Sequence, residues 1–236
     1  MPHQKNQQEC IAGISEAVNS IFDKLLDIEK VVKEIFQLRD QKLSRVTSKD
    51  FSTLKPILDQ HLKDDKIALQ GVGIVLEPSV FEDNKMYLEW RQISPDGSIF
   101  PLYLNFNCSS DVYYDYLEMP WFYKPSQDGN KIVEGPYIDL YGQDMYLLTF
   151  AVPIHIKNKF VGIAGADIAL SKFESKILKF LLELESEAAL MSEHGRVIAA
   201  NSSNYISGEL ISFKDGQAES IELNCQGIKW SILQRI

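Results

Sequence analysis

Trp121-Phe122, then Gly135-Pro136-Tyr137-Ile138-Asp139, then Gly165-Ala166-Asp167-Ile168: these three stretches decide how the chain is read. The first two fall between Tyr103 and Phe150, a segment that holds twelve of the chain's aromatic residues. From Asp111 to Leu147 the acids Asp111, Asp115, Glu118, Asp128, Glu134, Asp139 and Asp144 are opposed only by Lys124 and Lys131. Aromatic faces beside carboxylates are the chemistry of a pocket for a small cation. Trp121, Phe122, Tyr137 and nearby tyrosines can supply the cage, and Asp139 and Asp167 its charge. Asp167 ends the apolar run Phe160-Val161-Gly162-Ile163-Ala164-Gly165-Ala166. A carboxylate there is costly unless paired or hydrogen-bonded. A plainer alternative stays open, in which Asp167 caps a helix starting near Leu170 and the aromatics are core.

Outward from this centre, alternation and turn residues predict an antiparallel sheet. Ile67 to Leu76 is an apolar strand. Met86 to Ile93 and Ser98 to Phe106 flank the turn Ser94-Pro95-Asp96-Gly97 and predict a hairpin. Asp111 to Met119 reads as helical or irregular and ends at Pro120, and Ser126 to Asn130 reads as a loop. Met145 to Ile156 and Lys159 to Ile168 form a second hairpin across Lys157-Asn158. Helical period returns from Leu170 to Glu187. A smaller strand pattern follows at 188–192, 196–200, 221–224 and 228–234.

Upstream, Ile11, Ile14, Val18, Ile21, Leu25, Ile28, Val32 and Ile35 alternate steps of three and four within a helix predicted over 9–39. Such a seam can pack on its own domain or pair with a twin helix in a dimer. A short helix carrying Phe51, Leu54, Ile57, Leu58 and Leu62 is expected after Ser48.

Composition narrows the function. A net charge of −9 without a local Lys/Arg cluster argues against nucleic-acid binding. Cys10, Cys108 and Cys225 are odd in number and far apart, which reads as reduced thiols. The four histidines are scattered, and metal-protease, serine-hydrolase and phosphate-loop motifs are missing, so no catalytic residue, metal site or cofactor is expected. No apolar run reaches 18 residues. The chain therefore reads as soluble: cytoplasmic if complete, periplasmic or extracellular if cut from a receptor.

Met119-Pro120-Trp121-Phe122, Pro136-Tyr137-Ile138-Asp139, Leu148-Thr149-Phe150-Ala151-Val152-Pro153 and Gly162-Ile163-Ala164-Gly165-Ala166-Asp167-Ile168 occur in an order and spacing that resembles the Cache family of bacterial sensor domains. With the long helix and the C-terminal strands, nearly the whole chain resembles the double Cache arrangement. That resemblance implies an α+β fold: a long N-terminal helix followed by two PAS-like antiparallel-sheet modules, the second smaller. The expected division is 1–65 for the helix and connecting segment, 66–170 for the ligand-binding module, and 171–236 for a linking helix and second module. It places Tyr114, Trp121, Phe122, Tyr137, Asp139 and Asp167 around a ligand. Amino-acid-binding members carry an Arg two residues before the Trp to grip the ligand carboxylate; here Met119 stands there, and no Arg occurs between Arg91 and Arg196. The departure points to the amine-binding branch. The expectation is a sensor for a small cationic amine or amino-acid-like ligand, a homodimer through the N-terminal helix, and a signalling partner protein. The alternative is an interaction or dimerisation protein with a degenerate pocket.

Overall fold

Helix α1, Pro2–Gln41, is the spine of the molecule in a computed structural model that describes residues 2–64, 66–83, 85–140, 145–211 and 218–235, without the side chains of 2–5 and 224. Asp144, counted above among the acids, lies outside the described residues. The predicted seam is present, but the chain covers it itself. Ile14, Val18, Ile21, Leu25, Ile28 and Val32 are all buried in the main core, with Cys10 and Phe22. Against them pack β5 (Met145–Ile156), β6 (Lys159–Ala169), β9 (Ala218–Cys225) and α5 (Leu170–Leu181). The seam is therefore not available to a twin helix, which corrects that route to a dimer. The periodicity marks a buried face without saying what buries it.

Two short helices follow, α2 (Ser48–Phe51) and α3 (Lys55–Leu62), and bury Phe51, Leu58 and Leu62 against the same core. The first sheet then forms from β1 (Gly71–Leu76), β2 (Tyr87–Ile93), β3 (Ile99–Pro101), β4 (Ile132–Asp139), β5 and β6. Its order is β3-β2-β1-β6-β5-β4, and every pairing is antiparallel. Lys157 and Asn158 turn the β5–β6 hairpin with φ of 49° and 64°, the two-residue geometry that matches strand twist. After α5, strands β7 (Ala188–Met191), β8 (Val197–Ala200), β9 and β10 (Ile228–Arg235) make a second sheet in the order β8-β7-β10-β9.

Three sequence expectations change. Pro120 does not end a helix; it begins α4 (Pro120–Asp128), where its missing N–H costs nothing. The segment expected as a loop from Ser126 is helical to Asp128 and ends at Gly129, whose φ of 68° is the left-handed C-cap conformation. The strand expected to run from Ser98 to Phe106 stops at Pro101, and Leu102 to Asp115 continues as irregular chain over one face of the sheet.

Candidate ligand-binding site

The first sheet has α1 on one face and a second, aromatic cluster on the other. Antiparallel register sets the polar row of that second face. Asp167 on β6 lies opposite Thr149 on β5 and opposite Gly71 on β1. Paired residues point to the same side. The Thr149 hydroxyl donates to Asp167 Oδ1 at 2.7 Å, and Tyr137 Oη is 2.7 Å from Thr149 Oγ1. Thr149 has one hydroxyl proton and gives it to the carboxylate, so Tyr137 is the donor to Thr149.

These groups open into a cavity of about 40 Å³. A water needs roughly 10–15 Å³ on that scale, so the space suits a ligand of few heavy atoms. Tyr114, Trp121, Tyr137, Asp139 and Asp167 all line it, as do Thr149, Trp90, Tyr116 and a set of apolar residues from β1, β2 and the irregular segment. Five of the six site residues expected from sequence are thus brought together. Phe122 is not among the lining residues. It is 2% exposed and packs its ring on Tyr116, Trp121 and Phe160, behind the cavity wall. Successive helix residues point about 100° apart, so one helix cannot aim both Trp121 and Phe122 at the same space.

Three lining residues with polar side-chain atoms were missed. Thr149 is a hydroxyl set in the apolar run Leu147 to Val152, which was the available signal. Tyr116, fully buried, reaches across to donate to the Leu76 carbonyl at 2.6 Å and ties the irregular segment to β1. Trp90 lies over two glycines, Gly73 opposite it on β1 and Gly165 opposite Gly73 on β6. A Cβ at Gly165 would come within 3.1 Å of the indole. Glycines inside strands mark where something large approaches.

The electrostatics are those of a buried, acidic site. Burial pushes the Asp167 carboxyl up to about 7; the Asp139 charge adds to this and the Thr149 hydrogen bond opposes it. Burial, and then the Asp167 charge, hold the Tyr137 hydroxyl well above its ordinary value. No Lys, Arg or His is among the described lining residues. Met119, where the resemblance puts an arginine, is the N-cap of α4 and packs in the aromatic cluster. Among the described residues no group of three His, Cys, Asp or Glu could hold a metal, and no helix is long and apolar enough to cross a membrane.

Residues 54–175 match the family described as methyl-accepting chemotaxis protein-like, first PDC sensor domain. No curated protein matches the sequence. Several solved structures share the fold. The ligand binding domain of the Pseudomonas aeruginosa PAO1 amino acid chemoreceptor PctC, in complex with GABA, is 12% identical with a TM-score of 0.60, over 95% of this chain and 94% of that one. The corresponding domain of PctB from the same organism, in complex with L-Gln, is 14% identical with a TM-score of 0.62, over 99% and 89%. The sensory domain of the Campylobacter jejuni chemoreceptor Tlp3 is 14% identical with a TM-score of 0.53, over 98% and 95%.

Proposed function

Because this chain belongs to the methyl-accepting chemotaxis protein-like family of first PDC sensor domains, we propose that it senses a small cationic amine, or an amino-acid-like ligand held chiefly by its ammonium group. One observation carries the reading: Asp139 and Asp167 share a cavity with the faces of Tyr114, Trp121 and Tyr137, and no cation stands among the described lining residues. An ammonium group beside these carboxylates would favour their charged form and would hold Asp167 ionised. GABA and L-Gln, found on chemoreceptors of the same fold, each carry such a group. An α-amino acid would leave its carboxylate without an arginine fork. In this reading residues 66–170 are the sensing module, and residues 171–236 are the linking helix and second module.

The way out of the site runs through the sheet. Thr149 and its neighbour Phe150 point to opposite faces, as consecutive strand residues do. Thr149 meets the ligand side, and the Phe150 ring meets Phe22 of α1 at 5.3 Å and Phe173 of α5 at 6.3 Å. A change in the Tyr137–Thr149–Asp167 row therefore bears on the spine helix and on the link to the second module. Signal transmission through α1 belongs to the proposal, within one chain or in a homodimer. With the seam buried, a partner would meet the outward stripe of α1, where exposed Glu16, Asp23, Asp27 and Glu34 are set against Lys30 and Lys33. A partner protein bearing cations complements that stripe better than a parallel twin does.

A thermal-shift screen against amines, amino acids and organic acids tests the reading. A ligand at a hundredfold its dissociation constant adds about 2.7 kcal/mol. The expected responders are amines; a response confined to acids would overturn the proposal.

A further inference from the structure

We infer that the same cavity reads a neutral oxygen on its ligand through the indole N–H of Trp90, so that the preferred class is a small amine carrying a hydroxyl or amide carbonyl. The inference rests on the amine reading of Asp139 and Asp167 and adds a second pole to it. Trp90 lines the cavity and is 6% exposed, yet its Nε1 is buried with no hydrogen-bond partner. An indole nitrogen only donates, and buried donors left without an acceptor are uncommon in folded proteins.

The ring is held where it is. A Cβ at Gly73 would lie 2.7 Å from Trp90 Cα and 2.9 Å from Cε3, and one at Gly165 would lie 3.1 and 3.2 Å from Cη2 and Cζ3. The benzo edge thus rests on the glycine floor, and the Nε1 edge is the opposite one. The apolar lining residues Val75, Leu88, Leu102 and Leu104 bring no acceptor side chain. A second unpartnered donor lies close by. Gln92, 5% exposed with Nε2 unpaired, lies opposite Gly71, and Gly71 lies opposite Asp167. With no side chain at Gly71, Gln92 and Asp167 face the same space across one strand.

The cavity lining therefore carries acceptors, Asp139 and Asp167, together with the neutral donor Trp90, and Gln92 adds a second donor on the same face of the sheet beyond the lining. A ligand that satisfies both has an ammonium group and a neutral oxygen a few bonds away, which also suits a volume of about 40 Å³. A ligand carboxylate would meet neutral N–H groups and two carboxylates, with no cation among the described lining residues to balance it.

Calorimetry on the whole chain at pH 8 with ethanolamine, glycinamide, n-propylamine and β-alanine tests this. Ethanolamine or glycinamide should bind about tenfold more tightly than propylamine, a difference of about 1.4 kcal/mol, and β-alanine should be weakest. Trp90→Phe should erase the preference, costing ethanolamine and glycinamide the roughly tenfold expected when a single neutral hydrogen bond is lost. In the unmodified chain, the ¹⁵N-indole resonance of Trp90, assigned by replacing each tryptophan in turn, should move with ethanolamine or glycinamide and hold still with propylamine. That readout stands if Trp90→Phe fails to fold. Equal affinities for the hydroxyl, amide and alkyl probes, or a Trp90 resonance indifferent to them, would overturn the Trp90 inference and leave the amine reading intact. Failure of all four to bind would overturn both.

Discussion

Asp167→Asn should make the ligand-free protein more stable at neutral and alkaline pH and leave it unchanged in acid. The Asp167 carboxyl titrates near 7 in the folded protein against an ordinary value of 3.8. A carboxyl raised on folding binds its proton more tightly in the native state. Its contribution to stability is complete below about pH 4 and is lost as pH rises through about 7. That interval is about 3 pH units, and at about 1.4 kcal/mol each it amounts to about 4 kcal/mol. Asn keeps the shape and can accept the Thr149 hydrogen bond, but it carries no charge to bury. At about 2–4 °C per kcal/mol for a chain of this size, the variant should gain roughly 8–16 °C in melting temperature over the unmodified protein between pH 4 and pH 8. Differential scanning fluorimetry at half-unit pH steps reads this directly, and groups common to both proteins cancel in the difference. Parallel pH profiles would show that Asp167 is not a buried, charge-strained carboxyl, and the electrostatic reading of the cavity would fail.

Amine affinity should rise with pH through about 7, because the ligand needs Asp167 ionised; titrations at pH 5.5 and 8 should differ by at least about tenfold. Thr149→Val removes the hydroxyl that joins Tyr137 to Asp167. It should weaken amine binding about tenfold and move the binding midpoint to higher pH, since that hydrogen bond is what lowers the Asp167 value. Ile21→Lys with Ile28→Lys places two charges in a core where these side chains are 2% and 0% exposed. Circular dichroism should show loss of folding instead of a folded monomer. Gly73→Ala drives a methyl into the Glu89 carbonyl and to 2.7 Å from Trp90 Cα; it should cost about 1–3 kcal/mol in denaturant melts and disturb the Trp90 indole resonance.

The elements were legible where their signal is local. Hairpin β5–β6, with a two-residue turn between long apolar strands, and α1, with its unbroken seam, could be read from spacing alone. What covers the seam could not, because Ile21 and Leu25 look the same to a twin helix as to β5. Pro120 carries two meanings, helix stop and helix start, and the choice depends on the irregular chain before it. The cavity proposed as the site was legible through Trp121, Tyr137, Asp139 and Asp167, which line it and whose order resembles known sensors. Phe122 went to the core because its neighbour took the cavity-facing direction. Thr149, Trp90 and Gln92 stayed hidden because cross-strand register sets them on the same face as Asp167. A single sequence shows each strand but not how one strand is set against the next.

Isothermal titration of the unmodified chain and of Asp167→Asn at pH 8, with ethanolamine and with a dicarboxylate such as succinate, bears most directly on the sensing role. The expected result is one ethanolamine site per chain, weakened at least about tenfold by Asp167→Asn, and no heat of binding from succinate. Tight succinate binding with no response to any amine would contradict it.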